Sequence, residues 1–243
     1  MKAETINTEL EKIYEKQFSK FMKQGLNTND YSNPLLMKCG EEYVKPDNIK
    51  LLFVGRETSS WYYDTDCYDA KGGFDIKKLM DLYGDYSLGS ETDKTFFKLA
   101  CGINSVVNPG KEKNFLWTSI FKFDFKQSGR HPLNEVINWE DTNFNIFSKE
   151  MKKVKPDFVF FITGGKDSDD NYYIKRVLND DEIVFIPIKE NKNMSAIRSF
   201  SGKLNIPMFR IPGLEIKKND VYNKIVDISS KLVISKDGKV KEY

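Results

Sequence analysis

The chain has 243 residues, 40% of them hydrophobic and 14% aromatic, and its 38 Lys and Arg against 36 Asp and Glu leave a formal net charge of +2. That is enough apolar material for one sizeable core, and too little net charge for a global field that would announce a polyanionic partner. No apolar run approaches the roughly 20 residues that cross a bilayer. The polar, periodic start MKAETINTELEKIYEKQF is unlike a secretory segment, so a cytoplasmic protein without a membrane partner is expected.

The first 24 residues place Ile6, Leu10, Ile13, Tyr14, Phe18 and Phe21 at helical spacing, which predicts an N-terminal amphipathic helix over 1–24. Gly25, Asn27, Asn29, Asn33 and Pro34 then mark a loop. Ile49 to Val54 reads as a buried strand ending at Gly55. Residues 56–92, rich in Tyr, Asp and Gly, read as a long loop excursion. A helix is predicted from Thr92 to Val106, a second strand over Phe115–Phe121, and a helix from Phe144 to Val154 that Pro156 stops. Phe158 to Thr163 is the plainest strand, and its near-continuous apolar run predicts burial on both faces. There follow a helix over Tyr172–Leu178, a strand over Ile183–Ile186, a helix over Met194–Leu204, a strand over Pro207–Ile211 and a helix over Val221–Leu232. Residues 233–243 read as a polar C-terminal tail.

Strands alternating with helices predict a single α/β domain over 1–243. Its expected form is a three-layer sandwich around a short, mainly parallel sheet of four or five strands, with the Phe158 strand central. In such sheets ligands sit outside the carboxyl ends of the strands. The turn after the first strand, Gly55-Arg56-Glu57-Thr58-Ser59-Ser60-Trp61, therefore carries the first site candidates. Gly55 lets the backbone turn sharply, Arg56 suits a phosphate, Glu57 suits proton transfer or water orientation, and Trp61 suits stacking on a base. The alternative is a surface pair of Arg56 and Glu57, with the aromatics closing the core.

The turn Thr163-Gly164-Gly165-Lys166-Asp167-Ser168 resembles the SGGxDS loop of PP-loop ATP pyrophosphatases. Its late position and the acids Asp169 and Asp170 favour a plain glycine turn carrying solvated charges. His131 is the only histidine, so imidazole metal sites are not expected. Cys39, Cys67 and Cys101 form no CxxC pair and read as reduced thiols. Neither a metal nor a cofactor is expected. Residues 186–243 hold 12 Lys and Arg against 6 Asp and Glu. That basic third either faces an anion or forms a solvated lysine-rich surface.

Three segments carry a family likeness. Leu51 to Glu57 is a hydrophobic strand followed by Gly-x-acid, Leu116 to Lys122 is a second strand opening on Leu-Trp-Thr, and Lys155 to Phe161 enters a third strand through Lys-Pro-Asp. Together with Pro207 to Pro212, they resemble the uracil-DNA glycosylase superfamily over roughly residues 35–230. The resemblance implies a uracil-DNA glycosylase-like fold and a partner that is single-stranded or damaged DNA, or a nucleotide. It implies Glu57 as the catalytic residue, and Gly55, Arg56, Trp61, Thr118, Ser119 and Arg210 as substrate-binding residues. Thr118 and Ser119 stand where many members carry asparagine, and Gly213-Leu214-Glu215 stands in place of His-Pro-Ser, leaving Arg210 as the nearest cation for a departing base. The implied substrate is thus altered or unknown. The alternatives are a non-catalytic module that binds nucleic acid or a protein on the same fold, and a PP-loop-type ATP-using enzyme.

Overall fold

The computed structural model describes residues 2–21, 31–56, 58, 61–62, 65–68, 73–86, 95–111, 114–124, 137–138, 140, 146–163, 167–180, 182–201, 205–211 and 219–234. The chain is an α/β protein whose described part divides into two compact units. The first comprises Met1–Val44, Arg56–Tyr86 and Thr118–Lys155. The second comprises Lys45–Gly55, Ser87–Trp117 and Pro156–Tyr243.

The first unit is helical. Helix α1 (Ala3–Phe21) buries Ala3, Ile6, Leu10, Tyr14 and Phe18, spaced three and four apart along one face. Helix α2 (Ile76–Asp85) packs on α1. It begins at Asp75, whose side chain accepts a hydrogen bond from Lys78 N at 2.9 Å, the usual N-cap arrangement. Helix α2 lies inside the stretch 56–92 that the sequence reads as a loop. The signal was there in Asp75 followed by Ile76, Leu79, Met80 and Tyr83, all four buried. Helix α4 (Phe147–Val154) also packs on α1, and Lys155 ends it in the left-handed region at φ 45°.

The second unit holds the sheet. Its strands are β1 (Leu51–Gly55), β3 (Phe158–Ile162), β4 (Ile183–Ile188), β5 (Asn191–Ser199) and β6 (Met208–Ile211). Strand β2 (Leu116–Ser119) starts in this unit and ends in the first. The order is β2-β1-β3-β6-β5-β4. β1, β3 and β6 run parallel, whereas β5 joins β6, and β4 joins β5, antiparallel. Among the described residues the sheet therefore has six strands and is mixed, which corrects the expectation of four or five mainly parallel ones. The helix expected over Met194–Leu204 is instead strand β5, and the β4–β5 hairpin supplies the antiparallel part. Met194 and Ile197 have helical spacing, but Met194 through Ile197 are buried without a break, because β5 is covered on both faces between two partner strands.

The Phe158 strand is central as expected, and Phe160 is fully buried. Phe53, Phe160 and Phe209 stand in register across β1, β3 and β6, with ring centroids 5.6 and 5.4 Å apart and nearly parallel planes. Such cross-strand aromatic pairs each add a few tenths to about 1 kcal/mol beyond burial. Helix α3 (Thr95–Val107) packs on β1 and on α6 (Asn219–Ile234), and α5 (Asp167–Leu178) follows β3. The Asn108 side chain, just past α3, donates to Ile49 O and accepts from Ile49 N, both at 3.0 Å, fixing the chain as it enters β1. Among the described residues no helix is long and apolar enough to cross a membrane.

Candidate functional site

In the second unit, the in-register row Gly55, Ile162 and Ile211 closes the carboxyl ends of β1, β3 and β6. Thr163 stands just past this row. The residue is 6% exposed, and its hydroxyl oxygen is buried without a hydrogen-bond partner. Arg210 lies one residue before the end of β6, opposite Phe161 of β3 and Ser195 of β5. It is 4% exposed, and its Nη2 reaches Ser195 Oγ at 3.4 Å and Asn193 O at 3.5 Å. Arg210 is thus a buried cation on one face of the sheet, turned towards β5.

In the first unit, the turn after β1 and the chain after β2 are tied together. Phe121 N donates to Arg56 O at 3.0 Å, and Thr58 N to the carboxylate of Asp124 at 3.0 Å. Ser32 completes the tie: its N donates to Asp124 O at 2.8 Å, and its Oγ accepts from Asp124 N at 2.9 Å. Arg56 is half-buried, whereas Asp124 and Thr58 are buried. Trp61 is 5% exposed, its ring held against Tyr62 and Tyr86 at 4.7 and 5.0 Å. The Asn33 amide donates to Tyr62 O and Thr65 O, holding a turn in which Tyr62 adopts φ 44°. Burial, and then the charge of Asp85, raises the Tyr62 hydroxyl above the ordinary tyrosine range.

Thr118 and Ser119 are both buried. The Thr118 hydroxyl accepts from the Lys122 ammonium, and Ser119 Oγ donates to Phe121 O. Both hydroxyls thus have a partner inside the unit. The structure thus joins Arg56 to the end of β2 in the first unit, while Gly55 and Arg210 stand on strands of the second, with β3 between them. Glu57, His131 and the Gly164-Gly165-Lys166 turn lie outside the described residues.

Sequence reasoning missed a buried polar cluster in the first unit. Lys122 Nζ stands 3.0 Å from each oxygen of Glu150, and Tyr14 OH donates to Glu150 Oε1 at 2.8 Å. Tyr14 OH in turn accepts from Met37 N at 3.1 Å, and Lys122 N donates to Glu140 Oε1 at 2.9 Å. Burial, and then the Glu150 charge, push the Tyr14 hydroxyl well above the ordinary tyrosine range. The available signal was Phe121-Lys122-Phe123-Asp124, in which charges alternate with phenylalanines. All four of these residues are buried, so charges at both polar positions demand internal partners. Among the described residues no three His, Cys, Asp or Glu cluster as metal ligands. No protein-family profile and no curated protein matches the chain.

Proposed function

We propose that the chain is a divergent uracil-DNA glycosylase-like protein that binds single-stranded or damaged DNA, or a nucleotide. One observation carries this reading. The four segments with the family likeness supply β1, β2, β3 and β6, and these are consecutive neighbours in the sheet, in the order β2-β1-β3-β6. β1, β3 and β6 are parallel, so their carboxyl ends share one rim. That is where parallel sheets open towards ligands. Glu57 follows this rim directly in sequence, and its carboxylate suits an emerging oxocarbenium charge or an attacking water.

A non-catalytic binding module is the second reading. It is favoured by the inward hydroxyls of Thr118 and Ser119 and by the buried Trp61. Binding and excision are separable by experiment. Fluorescence anisotropy with a short single-stranded oligonucleotide should show binding at low salt that weakens as salt rises, because phosphate contacts release counterions. With uracil-containing and damaged-base oligonucleotides, the wild type should release base, whereas Glu57→Gln should bind with unchanged affinity and release none. Binding without release from any substrate selects the module reading. No binding at low salt refutes both nucleic-acid readings.

A further inference from the structure

We propose that Thr163 is a ligand-contacting residue whose hydroxyl donates a hydrogen bond to an anionic phosphate oxygen of the bound nucleotide or DNA strand. This rests on the reading above and names a contact within the same rim.

Three observations within the second unit converge on it. The first is the unmet hydroxyl. Thr163 Oγ1 is buried without a partner, and the residue retains only 6% of its surface. Leaving a buried hydroxyl unpaired is costly, and valine would fill the same volume without that cost. Ser229 and Ser230 also bury hydroxyls without partners. They sit inside α6, where carbonyls of the preceding turn lie near any serine side chain. Thr163 directly follows β3 and lies in no helix, so no preceding helical turn stands below its hydroxyl.

The second observation is position. Thr163 follows Ile162, whose in-register neighbours are Gly55 on β1 and Ile211 on β6. It stands at the carboxyl rim of the central strand, one residue past the row that contains Gly55. Exchanging hydroxyl and methyl by rotation about χ1 moves the donor without moving the backbone, and threonine occupies more than one χ1 well readily.

The third is charge. Strand alternation puts Thr163 on the face of Phe161 and Arg210 rather than that of the Phe53, Phe160 and Phe209 ladder. The Arg210 guanidinium leans towards Asn193 O, which in the antiparallel register lies beyond Ser195 in the direction of the carboxyl end of β6. Arg210 is a buried cation on this face. A neutral hydroxyl on the same face suits an anionic oxygen and adds no competing charge.

The test uses the full chain with Thr163→Val and Thr163→Ser, reading melting temperature without ligand and anisotropy with a short single-stranded oligonucleotide at low salt. Inorganic phosphate is the competitor. Thr163→Val should melt no lower than wild type and bind the oligonucleotide about tenfold more weakly, the size of one lost hydrogen bond to a charged group. Thr163→Ser should keep the wild-type affinity, and phosphate should displace the oligonucleotide from wild type. A Thr163→Val variant that melts several degrees lower shows that the hydroxyl serves the fold, and overturns the proposal. Unchanged affinity in Thr163→Val overturns it too, while leaving the nucleic-acid reading standing. Phosphate that fails to compete overturns the assignment to a phosphate oxygen. A wild type that binds no oligonucleotide overturns the nucleic-acid reading itself, and this contact with it.

Discussion

Replacing Lys122 by Met tests the buried cluster most directly. The Lys122 and Glu150 side chains are 4% and 0% exposed, and the ammonium bridges both carboxylate oxygens at 3.0 Å. Methionine matches the stem and removes the charge. The Glu150 carboxylate then keeps one hydrogen bond, from Tyr14 OH at 2.8 Å, and no cation. Stranding one member of a buried pair destabilises by about 3–5 kcal/mol. For a chain of this size each kcal/mol lowers the melting temperature by about 2–4 °C, so Lys122→Met should melt roughly 10 °C lower. Lys122→Met with Glu150→Met removes both charges and should recover most of that loss. What remains is about 1–2 kcal/mol for the orphaned Tyr14 donor. Thermal and urea unfolding followed by circular dichroism measure both quantities. A single-variant loss under about 1 kcal/mol, or a double variant no more stable than the single one, would refute the argument.

Two further outcomes follow from the same contacts. The Tyr14 hydroxyl is pushed well above its ordinary value by burial and then by the Glu150 charge. Folded Tyr14 therefore keeps its proton where the unfolded chain loses it, and its contribution is complete below about pH 10 and fades above it. Tyr14→Phe should be less stable than wild type at neutral pH, with the gap narrowing from about pH 10 upward in urea titrations. Gly102, in α3, leaves room for Tyr222 of α6: an added Cβ would lie 2.3 Å from the Tyr222 hydroxyl oxygen and 3.1 Å from Val226 Cγ2. Gly102→Ala should cost about 1–3 kcal/mol. Adding Tyr222→Phe should give no further loss, although it removes the 3.2 Å bond to Lys98 O; a fully additive double variant would place the clash elsewhere.

The sequence exposes the parts of this fold that depend on local pattern. β1 and β3 are apolar at every position because both faces are covered, and such a run has few other solutions. The edge of the sheet is less legible. β4 carries Val184, Phe185 and Ile186 at partly exposed positions, so its apolar run looks like that of a central strand. β5 mixes Asn, Lys, Ser and Arg with its apolar residues, and its turn, Lys189-Glu190, contains no glycine, proline or asparagine. Its identity as a strand comes from pairing with β6 on one side and β4 on the other. That is tertiary information which no window of eleven residues contains.

The candidate site divides along the same line. A strand end followed by glycine is a local feature, and the sequence places the Gly55 rim by it. Whether a polar side chain at such a rim faces a ligand or the interior is decided by its partners, and these are distant in sequence. Thr118 and Ser119 look like ligand-reading residues because of where they fall on β2. The Lys122 ammonium takes one hydroxyl and the Phe121 carbonyl accepts from the other. Lys122 is itself fixed by Glu150, 28 residues away, and Glu150 by Tyr14, 136 residues away. Thr163 is the converse case. It reads as the last letter of an apolar strand before a glycine pair, yet its hydroxyl is buried at the rim with no partner. A satisfied polar group explains itself through the fold, and an unsatisfied one at a strand end points outside it. That difference is the reason to move the search for ligand contacts from the end of β2 to the end of β3.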